Sequence, residues 1–218
     1  MKKRLFSLVL IFLLTLMNTN LVFPCAQCIE DPYSQFVDDP YYENTSDTIT
    51  GIVNQLKNLP ASGNVNIDFL AEEILLHKIV VNTSAVVTGY VKNSEISNYT
   101  SDAIDGYSGQ LREMRILLSN LLSNKDKIDK SNTDKEYMAD AKAIIDTLSK
   151  ELNSINPDDE VEIIYLKQNM ATLKAANALA QNEVKYSKNK ITSEISDNII
   201  KFTTTDLSRL STIEKAFS

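Results

Sequence analysis

The chain has 218 residues, 43 % of them hydrophobic and 23 % charged, with no Trp and only 5 Gly and 5 Pro. That is the composition of a globular protein with few helix breakers, long enough for one ordinary domain or two small ones. A net charge of −7, falling to about −10 without Lys2, Lys3 and Arg4, argues against a nucleic-acid-binding surface, which needs clustered Lys and Arg.

Met1 to Phe23 has the layout of an export segment. Lys2-Lys3-Arg4 is a basic head and Leu5 to Met17 an apolar run of signal-peptide length. Neither an A-x-A cleavage box nor a lipoprotein box follows. The apolar stretch extends through Asn18-Thr19-Asn20 to Phe23, so an uncleaved membrane anchor is the alternative to a cleaved signal. The expected location is extracytoplasmic, either secreted or anchored at the outer face of a bacterial membrane, with this segment as the only membrane contact. Cys25 and Cys28 then form a C-x-x-C without the βαβ context or second ligand pair of a redox or metal motif. A local disulfide in an oxidising compartment, or cysteines lost with the signal, is the plain reading. Residues 24–46 read as an acidic linker, in which Asp31-Pro32-Tyr33 recurs as Asp39-Pro40-Tyr41.

The helical domain is expected over residues 47–218. Ile49, Ile52, Val53, Leu56 and Leu59 give a short amphipathic helix ended by Pro60. The first long helix spans about 67–91, with Ile67, Leu70, Ile74, His77 and Val81 alternating by three and four as a bundle seam. The second spans about 95–123, with Ile96, Tyr99, Ala103, Ile104, Tyr107, Leu111, Met114, Leu118 and Leu121 inward. The short link between them makes an antiparallel hairpin, residues 67–123. A polar loop over 124–132 leads to Thr133 and Glu136, a capping box, and a connecting helix over 134–155. A second hairpin covers 159–217, with Leu166, Met170, Leu173, Asn177, Ala180 and Val184 inward on its first helix and Ile195, Ile199, Phe202, Leu210 and Phe217 on its second.

The two hairpins resemble one another at an offset of about ninety-five residues. Val65-Asn66-Ile67 matches Val161-Glu162-Ile163, Lys78 matches Lys174, and Tyr90-Val91-Lys92-Asn93 matches Tyr186-Ser187-Lys188-Asn189. With a one-residue slip, Asp102-Ala103-Ile104 matches Asp197-Asn198-Ile199. His77, the chain's one histidine, falls opposite Leu173. Two hairpins facing each other bury stripes that neither buries alone.

Asp68-Phe69-Leu70, Glu72, Ile74 and His77 fit a first-helix pattern close to D-F-L-x-E-M-I-x-H-H, with Leu76 in place of its first histidine and Glu73 in place of its methionine. Glu95-Ile96, Ala103-Ile104, Leu111 and Met114 fit the second-helix pattern, with Tyr107 and Gln110 at its Gln and Glu positions. On these residues the chain resembles the bacterial ferritin-like family known as domain of unknown function three hundred and five, as two degenerate tandem copies. The resemblance implies an exported, all-α, up-and-down four-helix bundle, here with an extra connecting helix and a short N-terminal one. Some members of that family are associated with copper binding through His and Met.

A di-iron bundle needs Glu-x-x-His pairs from facing helices; Glu73 and His77 are spaced i, i+4 and no second histidine exists. No nucleophile elbow or Cys–His arrangement signals a hydrolase. One mononuclear site can be drawn from His77 and Glu73 on the first helix and Met114 and Gln110 on the second, suiting copper or zinc. Against it stands a satisfied core histidine, bonded to Glu73 or a tyrosine. The sequons at Asn44, Asn82 and Asn98 matter only in a glycosylating host. The expectation is therefore an exported, non-enzymatic helical bundle without cofactor that binds or scaffolds an unknown protein partner at the cell surface. The alternative is an extracytoplasmic metal-binding protein of the copper-handling kind.

Overall fold

The computed structural model describes residues 41–123 and 134–217, all of it helices and the turns between them. The export segment, Cys25 and Cys28, most of the acidic linker, the 124–132 loop and the Thr133 cap lie outside the described residues. Among the described residues six helices follow in order: α1 Tyr41–Lys57, α2 Val65–Val87, α3 Ser94–Ser123, α4 Asp134–Asn153, α5 Val161–Tyr186 and α6 Lys190–Lys215. Among the described residues no helix is long and apolar enough to cross a membrane.

The boundaries differ from the periodicity reading in two places. α1 starts at Tyr41, so the last six residues assigned to the linker are helical, and Tyr41 and Thr45 are buried within them. Burial of a tyrosine outweighs the acidic composition that marks the stretch as a linker. α2 stops at Val87 rather than near residue 91, because the Thr88-Gly89-Tyr90 turn follows at once.

Asparagine caps fix the heads of α2, α3 and α6. Asn64 in extended conformation accepts from the Asn66 and Ile67 amides at the head of α2. Asn93 does the same for Glu95 and Ile96, and Asn189 for Ile191 and Thr192. Gly63 holds φ +84 just before Asn64, a left-handed turn open to glycine at no steric cost.

α2 and α5 form the centre. They run antiparallel, since Asn66 near the head of α2 accepts from Ser187 and Thr192 beyond the tail of α5, while Ser84 near the tail of α2 bonds Tyr165 near the head of α5. α3 packs on α2, and α6 on α5; α1 and α4 cover the opposite side, α1 on α2 and α4 on α5. Both central helices are therefore walled in on several sides. In α2 burial extends from Ile67 without a break to His77. This exceeds the five-residue seam expected from spacing, as a helix that is apolar all round requires. On α5 the corresponding correction is that Val184 is exposed at 43 %, while Gln168, Asn169 and Thr172 are buried.

The repeat is larger than a hairpin and needs no slip. Val65 and Val161 open α2 and α5, Ser94 and Lys190 open α3 and α6, and Lys57 and Asn153 close α1 and α4, each pair 96 residues apart. The contacts repeat with it. The Tyr41 hydroxyl on α1 donates to Gln168 on α5 at 2.9 Å, and the Tyr137 hydroxyl on α4 donates to Glu72 on α2 at 2.5 Å. Asn44 bonds Tyr90 as Asp140 bonds Tyr186, and the Tyr41–Tyr90 edge contact recurs as Tyr137–Tyr186. So α4, read from sequence as a lone connector, stands in the second unit where α1 stands in the first. The units are three-helix halves related by an approximate two-fold, and each lends a tyrosine to the other's central helix.

Where the halves meet beneath α2 and α5, Gly106 of α3 faces its counterpart Phe202 of α6. A Cβ on Gly106 would lie 2.7 Å from the Phe202 ring. Gly106→Ala is expected to cost about 1–3 kcal/mol by overpacking. In a Phe202→Ala background the same change becomes stabilising by up to about 1 kcal/mol, the helix preference of Ala over Gly. A double-mutant cycle by urea unfolding measures the coupling. Tyr137→Phe is expected to cost about 1–3 kcal/mol, because it strips a bond from the buried Glu72 carboxylate. Tyr41→Phe should cost less, since Gln168 keeps its bond to Thr45; unfolding midpoints at fixed slope check the order.

Candidate functional site

The four residues nominated by the sequence meet only in part. His77 and Glu73 share the inner face of α2, one turn apart, and are 1 % and 0 % exposed. Gln110 reaches them from α3: its Oε1 lies 2.8 Å from His77 Nε2. Met114 is buried one turn further along α3 on the same side, with no polar contact to His77. His77 Nδ1 lies 2.9 Å from the backbone carbonyl of Glu73 and 3.3 Å from its carboxylate.

A carbonyl can only accept, so the Nδ1 proton points at Glu73. Nε2 then donates to Gln110 Oε1 as an imidazolium, or in the neutral ring accepts from the Gln110 amide turned end for end. Either way the protein engages both ring nitrogens. The remaining face of the ring meets Tyr107, edge to face, with centroids 5.1 Å apart.

From Tyr107 a second polar cluster continues across the interface between the halves. Its hydroxyl donates to Asp206 on α6 at 2.9 Å, and Tyr99 donates to the same oxygen at 3.4 Å. Tyr107 also packs edge-on against Phe202, and Tyr99 lies against Tyr165, which bonds Ser84. Arg209, one turn from Asp206, stacks on Tyr99 and pairs with Asp102 at 2.7 Å. Burial pushes the Asp206 carboxyl above its ordinary range, against the lowering effect of the Tyr107 bond and of Arg209. It pushes the Tyr99 and Tyr107 hydroxyls far above theirs, so they stay donors.

Glu73 is the unusual group. Neither carboxylate oxygen has a hydrogen-bond partner among the described residues, and its approach to His77 is long. Burial raises its pKa, and His77 only partly offsets that. An ionised carboxylate there would face a desolvation cost that a protonated one avoids. Glu72 and Asp68 are buried on the same helix, Glu72 with Tyr137 and Asp68 through the Ser62 amide at 2.8 Å. Among the described residues no group of three or more His, Cys, Asp or Glu converges to hold a metal ion.

Sequence spacing found the His77–Glu73–Gln110 contact but missed Asp206, Tyr99 and Tyr107 as one cluster. Their partners lie about a hundred positions apart, across the two-fold, where no local period connects them. A polar residue at an inward position of α6 was the available signal.

Compared with known proteins, the chain matches no family model, no curated protein and no solved structure.

The Glu73 environment has a definite sign with pH. A carboxyl whose pKa is raised by folding contributes stability that is full below its unfolded value near 4.5 and is lost as pH rises through the folded value. The stability of the native protein relative to Glu73→Gln is therefore expected to fall as pH increases above about 4.5, flattening once Glu73 ionises in the folded state. Urea unfolding of both proteins between pH 4 and 8 tests this; parallel curves would show that Glu73 ionises as freely inside as outside.

Proposed function

We propose that this protein is an exported helical-bundle module that acts through its surface, by binding or scaffolding, and not by chemistry in its core. The observation that carries the reading is His77: the one imidazole of the chain spends both nitrogens on the Glu73 carbonyl and Gln110. The Tyr107–Asp206–Tyr99 cluster likewise spends its polar atoms internally, which specifies a packing rather than a reaction. The basic head and apolar run at the N-terminus support export. The ring of α2, α3, α5 and α6, in which α2–α3, α2–α5 and α5–α6 are the extensive contacts, supports the ferritin-like resemblance.

One observation favours the metal-binding alternative. The Glu73 carboxylate is buried and lacks hydrogen bonds, beside an imidazole and within reach of an α3 face that carries Gln110 and Met114. A soft or borderline cation would need the Nε2 lone pair, since Nδ1 is turned to a carbonyl, and would have to share or displace Gln110.

Titration of the purified protein with Cu(I), Cu(II) and Zn(II) separates the two. His77→Leu copies the counterpart residue Leu173 and keeps the core filled, so it serves beside His77→Ala. The surface reading expects no stoichiometric uptake in any of the three proteins. Uptake at one ion per chain, abolished by His77→Leu, would replace it with the metal reading.

A further inference from the structure

The two-fold gives each surface strip an internal control, and one pair of strips has diverged. On α1, Tyr42, Ser46, Thr50 and Asn54 follow at every fourth position and line a cleft of about 170 Å³ against α4. Their counterparts on α4, 96 residues on, are Met138, Lys142, Asp146 and Lys150, an ordinary charged helix face on which Lys142 and Asp146 form an exposed ion pair at 2.6 Å. The α1 strip has exchanged all of that charge for hydroxyls and an amide.

Ser149 and Asn153 of α4 face it across the cleft, and the buried Ile49, Val53 and Leu152 make the floor. The side chains of Ser46, Thr50, Asn54 and Asn153 make no hydrogen bond to another described residue. The one cation at the rim, Lys57, is engaged, donating to Ser149 Oγ at 2.7 Å.

These groups define the ligand by its chemistry. Hydroxyls and carboxamides both donate and accept, which suits a molecule that presents many hydroxyls in both roles. A cation would want a carboxylate, and the lining offers none; the Lys57 ammonium keeps donors beyond its bond to Ser149 and can serve sugar oxygens. An aliphatic floor with a tyrosine at one end suits the C–H faces of a saturated ring. The volume, below the roughly 300–1,000 Å³ of drug-sized sites, admits one ring. We propose that the α1/α4 cleft binds a single neutral sugar ring. The proposal rests on the surface-binding reading and deepens it by naming the ligand class.

The test is saturation-transfer NMR on the full chain with glucose, galactose, mannose and N-acetylglucosamine at tens of millimolar, each beside a disaccharide ending in the same ring. The affinity expected of so small and open a site is weak, in the millimolar range (about −4 kcal/mol). The comparison protein is Ser46→Lys with Thr50→Asp, which writes the Lys142–Asp146 pair of the other half into the cleft. Saturable transfer to at least one sugar, weakened roughly tenfold or more in the variant at unchanged melting temperature, supports the site. Disaccharides binding as well as the free sugar identify the terminal ring of a glycan as the ligand, and binding of the monosaccharide alone identifies a free sugar. No transfer from any probe, or transfer that the variant leaves intact, overturns the proposal. Neither result bears on the metal titration, so the surface-binding reading stands or falls separately there.

Discussion

Everything in this fold follows from burying two helices on nearly all sides. An amphipathic helix can turn its polar residues to water, but α2 and α5 have little water to turn to. Their polar side chains must find partners in the surrounding helices or carry the cost of desolvation. The structure answers that demand mostly across the two-fold. Glu72 is served by Tyr137, Gln168 by Tyr41, Ser84 and Thr83 by Tyr165 and Asn169. Tyrosine suits the task because it fills a large volume and delivers one donor at its tip. The outer helices α1 and α4 thus act less as connectors than as carriers of that donor.

Divergence between the halves has concentrated where the two-fold brings unlike residues together. His77 stands opposite Leu173 in the repeat, and Gly106 meets Phe202. The phenyl ring occupies space that a side chain at 106 would need, and it packs on Tyr107, whose ring also meets His77. A pair of identical halves could not pack this way on the axis, where two phenylalanines would collide and two glycines would leave a void. The asymmetry is therefore a packing solution, and the lone histidine sits within it.

Much of the architecture was legible from periodicity. The helices, the hairpins and most inward positions of α3 and α6 follow from apolar spacing. What escaped has physical reasons. α1 extends back to Tyr41 because that ring is buried by α5 and Tyr90, contacts invisible in an acidic stretch. α2 was read as a stripe, although the run from Phe69 to Leu76, interrupted only by Glu72 and Glu73, is apolar around the whole helix. Those two acids disguise it, and their burial depends on Tyr137 and His77. In the candidate site, spacing delivered Glu73, His77 and Gln110 because one turn and one hairpin relate them. Asp206 required knowing that α6 crosses beneath α3.

The reciprocal tyrosines bear on the order in which the chain can become structured. A newly made first unit carries Glu72 with no Tyr137 to bind it, and its long apolar helix has no α5 to lie against. Local contacts within α1–α3 cannot close that core; the contacts that do join residues 65 to 127 positions apart. Such pairings pay their loop entropy before they return any stability. The first half therefore has to wait, open and pliant, until the second has been delivered, a property that would suit the export proposed above.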